Sequence, residues 1–337
     1  MSMVQEDENS TQVQVSEFFI VGFPSLQHQY FHLAAWFFFI LYVTTVFGNL
    51  VLVVVFALER NLQKPMYIVM VSLAFSDIGK CFTTVALPKL IARYWWNDGR
   101  IAFHTCLFQL HMIHYFGSLN SLILLTMAVD RYLAISFPLR YPMVMTIPTM
   151  TGLTVVCWVT AHIFPGVATI SFSKISFCGP NQILQAFCDT TSLLALVCGE
   201  ASNLYTPSYI SAMFILYVPL GFIIFSYVCI VITVLQMVSG QGRRKTFSTC
   251  TTQGFIISIY YIPRFFVYTA PYIPNFQMTH DIRMATVFFY SFFPPLINPF
   301  IYCLRTKEIQ EIFRHWIQKH KAVKTNPGQN VAVPESH

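Results

Sequence analysis

Met127-Ala-Val-Asp-Arg-Tyr-Leu-Ala-Ile-Ser-Phe-Pro-Leu-Arg-Tyr141 is the stretch whose reading decides the fold. It sets an adjacent acid and base, Asp130 and Arg131, at the end of an apolar run long enough to cross a bilayer. Charges at a membrane edge are costly, so such a pair reads either as a switch or as a static interfacial bridge. The 337-residue chain around it is 55% hydrophobic and 10% charged. A soluble domain carries about 25% charge. Seven stretches reach the roughly 20 apolar residues that a spanning helix needs: 31–58, 66–92, 103–129, 148–172, 207–238, 247–271 and 284–304. The first has no charge between Ala34 and Leu58, whereas Gln253, Pro263 and Arg264 interrupt the sixth. The expected fold is an all-α membrane protein, a bundle of seven transmembrane helices over 31–304.

Basic residues set the orientation. The N-terminal segment, 1–30, has no Lys or Arg but holds Glu6, Asp7, Glu8 and Glu17. With that segment outside, the inner loops hold Arg60, Lys64, Arg131, Arg140, Arg243, Arg244 and Lys245, and the tail adds Arg305, Lys307, Arg314, Lys319, Lys321 and Lys324. The outer loops hold Arg93, Arg100, Lys174 and Arg283. The expected topology is a multi-pass protein of the plasma membrane, N-terminus extracellular and C-terminus cytoplasmic. The same bias accounts for the +6 net charge without a nucleic-acid partner. No basic start followed by a short apolar run marks a cleavable signal peptide. Asn9-Ser-Thr is a glycosylation acceptor on the side expected to be outside. Ile309, Ile312, Phe313, Trp316 and Ile317 recur at helical spacing, predicting a short amphipathic eighth helix over 305–320 on the inner leaflet. The polar remainder, 321–337, is expected to be a disordered cytoplasmic tail.

Nine cysteines divide into two groups. Cys81, Cys157, Cys229, Cys250 and Cys303 fall in or near the spans and read as buried thiols. Cys106, Cys178, Cys188 and Cys198 fall outside, where an oxidising compartment favours two disulfides and four cysteines allow three pairings.

Three polar features stand out inside the spans. Asp77 lies about 18 Å along span two from its inner end. Lys80 is one turn further, on a similar face, and reads either as an Asp77 partner or as a cation at the floor of a cavity. Arg264, in the outer half of span six, needs an anion: a ligand carboxylate, sulfate or phosphate, or Glu200, or else the outer headgroups by snorkelling. His104, His111 and His114 lack a Cys/His partner set, so no metal is expected. No nucleophile–base constellation suggests an enzyme. A transporter would show inverted repeats, and seven spans do not halve.

The motifs make a family resemblance specific. Asp130-Arg131-Tyr132 ends span three, Asn298-Pro299-Phe-Ile-Tyr302 ends span seven, Gly48-Asn49 lies in span one and Asp77 in span two. Lys64-Pro-Met-Tyr67, Pro88-Lys-Leu90, Ser226-Tyr227, Gly242-Arg-Arg-Lys-Thr-Phe-Ser-Thr-Cys250 and Pro295-Leu-Ile-Asn-Pro-Phe-Ile-Tyr-Cys-Leu-Arg305 extend it over about 20–315. Together they resemble the olfactory (odorant) receptors among the rhodopsin-like G-protein-coupled receptors. Pro294-Pro295 and the His114 region resemble the fish-type class.

The resemblance implies a receptor that binds a small-molecule odorant and activates a heterotrimeric G protein, of the stimulatory olfactory type that raises cyclic AMP, in sensory-neuron cilia. A non-olfactory chemosensory receptor of the same superfamily is the alternative. It also implies roles. His114, with Gly117, Ser118, His111, Tyr261, Arg264 and Lys80, would meet the ligand, which these cations make polar or anionic. Asp130, Arg131, Tyr132, Tyr227, Lys245, Asn298, Pro299 and Tyr302 would form the switch and the G-protein contact, with Arg131 held by Asp130 at rest. Asn49, Asp77 and Asn120 would be the polar core. Cys106 would pair with Cys188, and Cys178 with Cys198. No cofactor is expected. Where the family carries a second acid for sodium this chain has Asn120, a departure that argues against the ion.

Overall fold

The computed structural model describes residues 15–325, apart from 60, 61, 63, 84, 85, 179, 199–201, 237–239, 271, 272, 275, 277 and 306. Asn9, Glu200 and the tail beyond 325 lie outside the described residues, as does the side chain of Lys245. The helices run in chain order as α1 (Phe31–Leu58), α2 (Pro65–Thr83), α3 (Ala86–Trp95), α4 (Phe103–Ser136), α5 (Tyr141–Val144), α6 (Ile147–Thr160), α7 (Ile163–Phe172), α8 (Thr190–Leu194), α9 (Ser202–Leu235), α10 (Gly240–Thr269), α11 (His280–Arg305) and α12 (Lys307–Thr325). Six helical stretches are long and apolar enough to cross a membrane: His28–Leu58, Pro65–Trp95, Phe103–Ser136, Ile147–Phe172, Tyr209–Leu235 and His280–Leu304. The seventh member of the bundle is α10, 30 residues long, which Gln253 and Arg264 keep out of that apolar class.

These helices are apolar on both faces, the mark of a membrane span. In α1, Phe38, Leu41 and Leu52 are buried, while Phe37, Ile40 and Phe47 point outward. Local chemistry sets the ends. Pro65 opens α2 at a position where its missing N–H costs nothing. Thr146 caps α6 by accepting from the Thr149 amide at 3.3 Å. The expected span 148–172 is broken at Ala161-His162, because Pro165 has no N–H for the carbonyl of residue 161.

α4 is the axis of the bundle, packing on α2, α7 and α9. Trp158 on α6 donates to Ser72 on α2 at 2.7 Å. α12 reaches Thr325, five residues past the expected end of the eighth helix. It tucks Ile309 into the core and anchors Trp316 on Glu59 at 3.1 Å.

A small sheet at the disulfide end was not foreseen from the sequence. β1 (Glu17–Ile20) runs antiparallel to β2 (Arg100–Ala102) and parallel to β3 (Gln182–Ile183), in the order β2-β1-β3. Phe18 and Ile20 alternate onto its buried face. Cys106 bonds Cys188 and Cys178 bonds Cys198, fastening the loop that carries β3 and α8 to the top of α4.

Candidate functional site

Beneath that fastened loop lies a cavity of about 150 Å³, walled by α2, α4, α7, α9, α10, α11 and the loop itself. Lys80, His114, Gly117, Ser118 and Arg264, all expected at the ligand, line it. Arg264 is 7% exposed. Its guanidinium carbon sits 3.8 Å from the Tyr260 ring centre and 4.5 Å from that of Tyr290. Nη1 donates to the Tyr260 carbonyl at 2.9 Å. Among the described residues no carboxylate pairs with it. A guanidinium has five N–H donors in a fixed fork, suited to a planar anion. Lys80 is also buried, its Nζ 5.9 Å from the centre of the Phe292 ring. Asp77, one turn away on α2, accepts from two amide donors, as set out below.

Two expected contacts are not in the cavity wall. His111 faces the other way, against α7, with Nδ1 3.2 Å from Thr169 Oγ1 and Nε2 3.2 Å from His162 Nδ1. Three helical residues separate it from His114, a rotation of about 60° that puts the two rings on different faces. Tyr261 is buried with its hydroxyl 2.7 Å from Ser121 Oγ. Its neighbour Tyr260 takes the wall position and donates its hydroxyl to the Gly117 carbonyl. Tyr260 was legible in sequence as the i−4 neighbour of Arg264, whereas nothing near Tyr290 marks it as the second ring. The loop contributes Asp189 and Thr190, whose hydroxyl lies 2.9 Å from His114 Nε2. Asp189 also caps α8, accepting from the Ser192 amide at 2.9 Å.

The polar core joins α1, α2, α4 and α11. Asp77 accepts from Asn298 Nδ2 at 2.8 Å and from Asn120 Nδ2 at 3.5 Å, and Ser76 donates to Asn120 Oδ1 at 2.6 Å. Amide N–H groups face both carboxylate oxygens, while Asn298 Oδ1 is buried with no partner among the described residues. Asn49 donates to the Pro295 carbonyl at 2.9 Å. Pro299 has no N–H for that carbonyl, so Asn49 supplies the missing donor. Gly48 allows the approach: a Cβ there would sit 3.3 Å from Pro299 Cβ.

At the opposite end, Asp130 is buried and accepts from the Tyr141 hydroxyl at 2.8 Å. Burial, then the Asp130 charge, raises the Tyr141 phenol above its ordinary range. The expected Asp130–Arg131 ion pair is not among the described pairs. Arg131 reaches Met66 Sδ instead. Adjacent helical residues point about 100° apart, which turns the two side chains to different neighbours. The Tyr227 and Tyr302 hydroxyls are buried with no hydrogen-bond partner among the described residues. Tyr132 packs on Phe137, ring centres 5.7 Å apart.

A family model described as "Olfactory receptor" matches residues 38–320. Olfactory receptor 6N1 of Homo sapiens is 36% identical over 91% of this chain and 96% of its own. Olfactory receptor 1 of Rattus norvegicus is 33% identical over 92% and 97%. Among solved structures, squid rhodopsin superposes with a TM-score of 0.67 at 17% identity, covering 93% of this chain and 90% of that one.

Proposed function

The chain belongs to the olfactory receptor family, and from that membership we propose that it detects an anionic odorant held between Arg264 and Lys80. It is a multi-pass membrane receptor and not an enzyme. The observation that carries the ligand class is Arg264: a buried guanidinium, clamped between two tyrosine rings, with its remaining N–H groups on a cavity wall. Burying such a charge is costly unless an anion meets it. The disulfide end is the extracellular one in this reading, since oxidising compartments preserve such bonds. The Arg131 end is cytoplasmic and receives a heterotrimeric G protein of the stimulatory type. Ligand shifts the receptor toward the active state by its differential affinity for it. Buried hydroxyls at Tyr227 and Tyr302, without a partner among the described residues, and the broken ladder at Pro299 supply groups that can find new partners in that state.

The test is a cyclic AMP assay in cells expressing the receptor. Carboxylates and sulfates are compared with neutral and amine analogues of the same size. Arg264→Ala and Lys80→Ala are expected to weaken the response to an anionic agonist by roughly tenfold or more, the scale of a charge-assisted hydrogen bond. A neutral best agonist, or normal responses from both variants, sinks the reading.

A further inference from the structure

We propose that Lys80 is a covalent ligand site: its amine condenses reversibly with the aldehyde of a ligand whose anionic end lies on Arg264. Lys80 is 2% exposed and, among the described residues, the only lysine that lines the cavity. Holding an anion is work a guanidinium does well, because its planar fork stays charged. A lysine offers what a guanidinium cannot, an amine that gives up its proton and bonds to carbon. Desolvation in an apolar wall, with a second cation nearby, is what activates such an amine toward a carbonyl carbon. Both conditions hold here. Nζ lies 5.9 Å from the centre of the Phe292 ring, and Arg264 lines the same cavity.

The step balances without an outside reagent. Lys80 first gives up one proton. The nitrogen lone pair then bonds to the aldehyde carbon, the C=O bond breaks, and the oxygen leaves as water with the two remaining N–H hydrogens. The proton given up returns to the imine nitrogen. Lys80 therefore ends with the positive charge it began with, and nothing is oxidised or reduced. Water would reverse the step, and the site is built to hold water back. Ile113, Phe187, Leu216, Val267 and Val287 give it apolar wall, and the loop fastened through Cys106–Cys188 roofs it. A ligand bound in this way is tied to α2 by a covalent bond and to α10 by charge.

This rests on the anion reading of Arg264 for one end of the ligand, and the two ends are tested separately. The probe is para-formylbenzoate, with para-formylbenzamide as its neutral match. Full-length receptor in phosphatidylcholine nanodiscs, whose lipid has no reactive amine, is incubated with limiting probe and cyanoborohydride. That reagent delivers hydride to the imine carbon and leaves the disulfides closed. The product carries a mass gain equal to the aldehyde less one oxygen, and peptide mass spectrometry reads it at each lysine. Lys80 is expected to be labelled roughly tenfold or more ahead of the exposed Lys64 and Lys174, and that preference should vanish in unfolded receptor. Arg264→Ala should lower labelling of Lys80 by the benzoate roughly tenfold, the scale of a charge-assisted hydrogen bond, and leave labelling by the benzamide unchanged. The benzamide result also reports that the variant is folded. Labelling confined to exposed lysines, or a Lys80 preference that survives unfolding, overturns the imine. Equal labelling of Lys80 by the two probes, unmoved by Arg264→Ala, keeps the imine and removes the anion reading.

Discussion

The carboxylate of Asp130 is held by the hydroxyl of Tyr141, 2.8 Å away and eleven residues on. The resting contact of the acid is therefore a loop tyrosine, not its neighbour Arg131. A loop that touches a partner protein can tug on this bond directly. Tyr141→Phe is expected to raise ligand-independent signalling by about three- to tenfold, the scale of one net hydrogen bond. Basal cyclic AMP at matched surface expression measures it. A basal level equal to the unmodified receptor's would show that the bond restrains nothing.

Asn49 completes the backbone where Pro299 cannot. Asn49→Leu keeps the volume and removes the donor, leaving the buried Pro295 carbonyl without it. The expected cost is about 1–3 kcal/mol, read as a lower melting temperature of the purified receptor. Gly48→Val adds bulk against Pro299 and should destabilise it as well, by forcing α1 away from α11. Unshifted melting in both variants would show that α1 is not seated on this carbonyl.

His111 and His114 differ by one rotation of α4 and should differ in function. His114→Ala is expected to shift agonist potency severalfold, on the order of one lost hydrogen bond. His111→Ala should leave potency unchanged, because its ring is spent on His162 and Thr169. Equal shifts from both would mean the ligand lies between α4 and α7.

Asp98 supplies a pH dependence outside the membrane. The Arg100 amide and then Lys89 hold its carboxyl below the usual carboxylate range. A group whose folded pKa is depressed stabilises the fold above its unfolded pKa and loses that contribution as pH falls through the folded value. The neighbouring Gly99 carbonyl accepts from the Ile20 amide at 2.8 Å. Hydrogen exchange at Ile20, corrected for its intrinsic pH dependence, should therefore quicken below the carboxylate range. Asp98→Asn should exchange faster already at neutral pH.

What the sequence made legible follows from how strongly each feature is constrained. A bilayer demands long apolar runs, so α1 ends where expected, at Phe31 and Leu58. Motif residues such as Asp77, Asn298 and Asn120 meet because three helices must satisfy one another's buried polar groups inside an apolar bundle. Rotational detail was not legible. The face of α4 that carries His114 excludes His111, and nothing local in the sequence says which face meets the cavity. Partner choice was hidden too: Asp130 and Arg131 are adjacent in sequence yet turned to Tyr141 and Met66. The sheet escaped notice because β1 is four residues long and its partners are about 80 and 160 residues away, beyond any local pattern.

That sheet constrains how the protein is handled as much as how it folds. Residues 17–20 are a middle strand, stitched between two later segments at the disulfide end. An epitope tag or trafficking sequence grafted ahead of Val15 leaves the strand whole. A truncation that enters Glu17–Ile20 takes away the pairing of β2 and β3 at once, and with it the register of the loop over Arg264. The region open to additions at this end therefore stops at a definite residue, Val15.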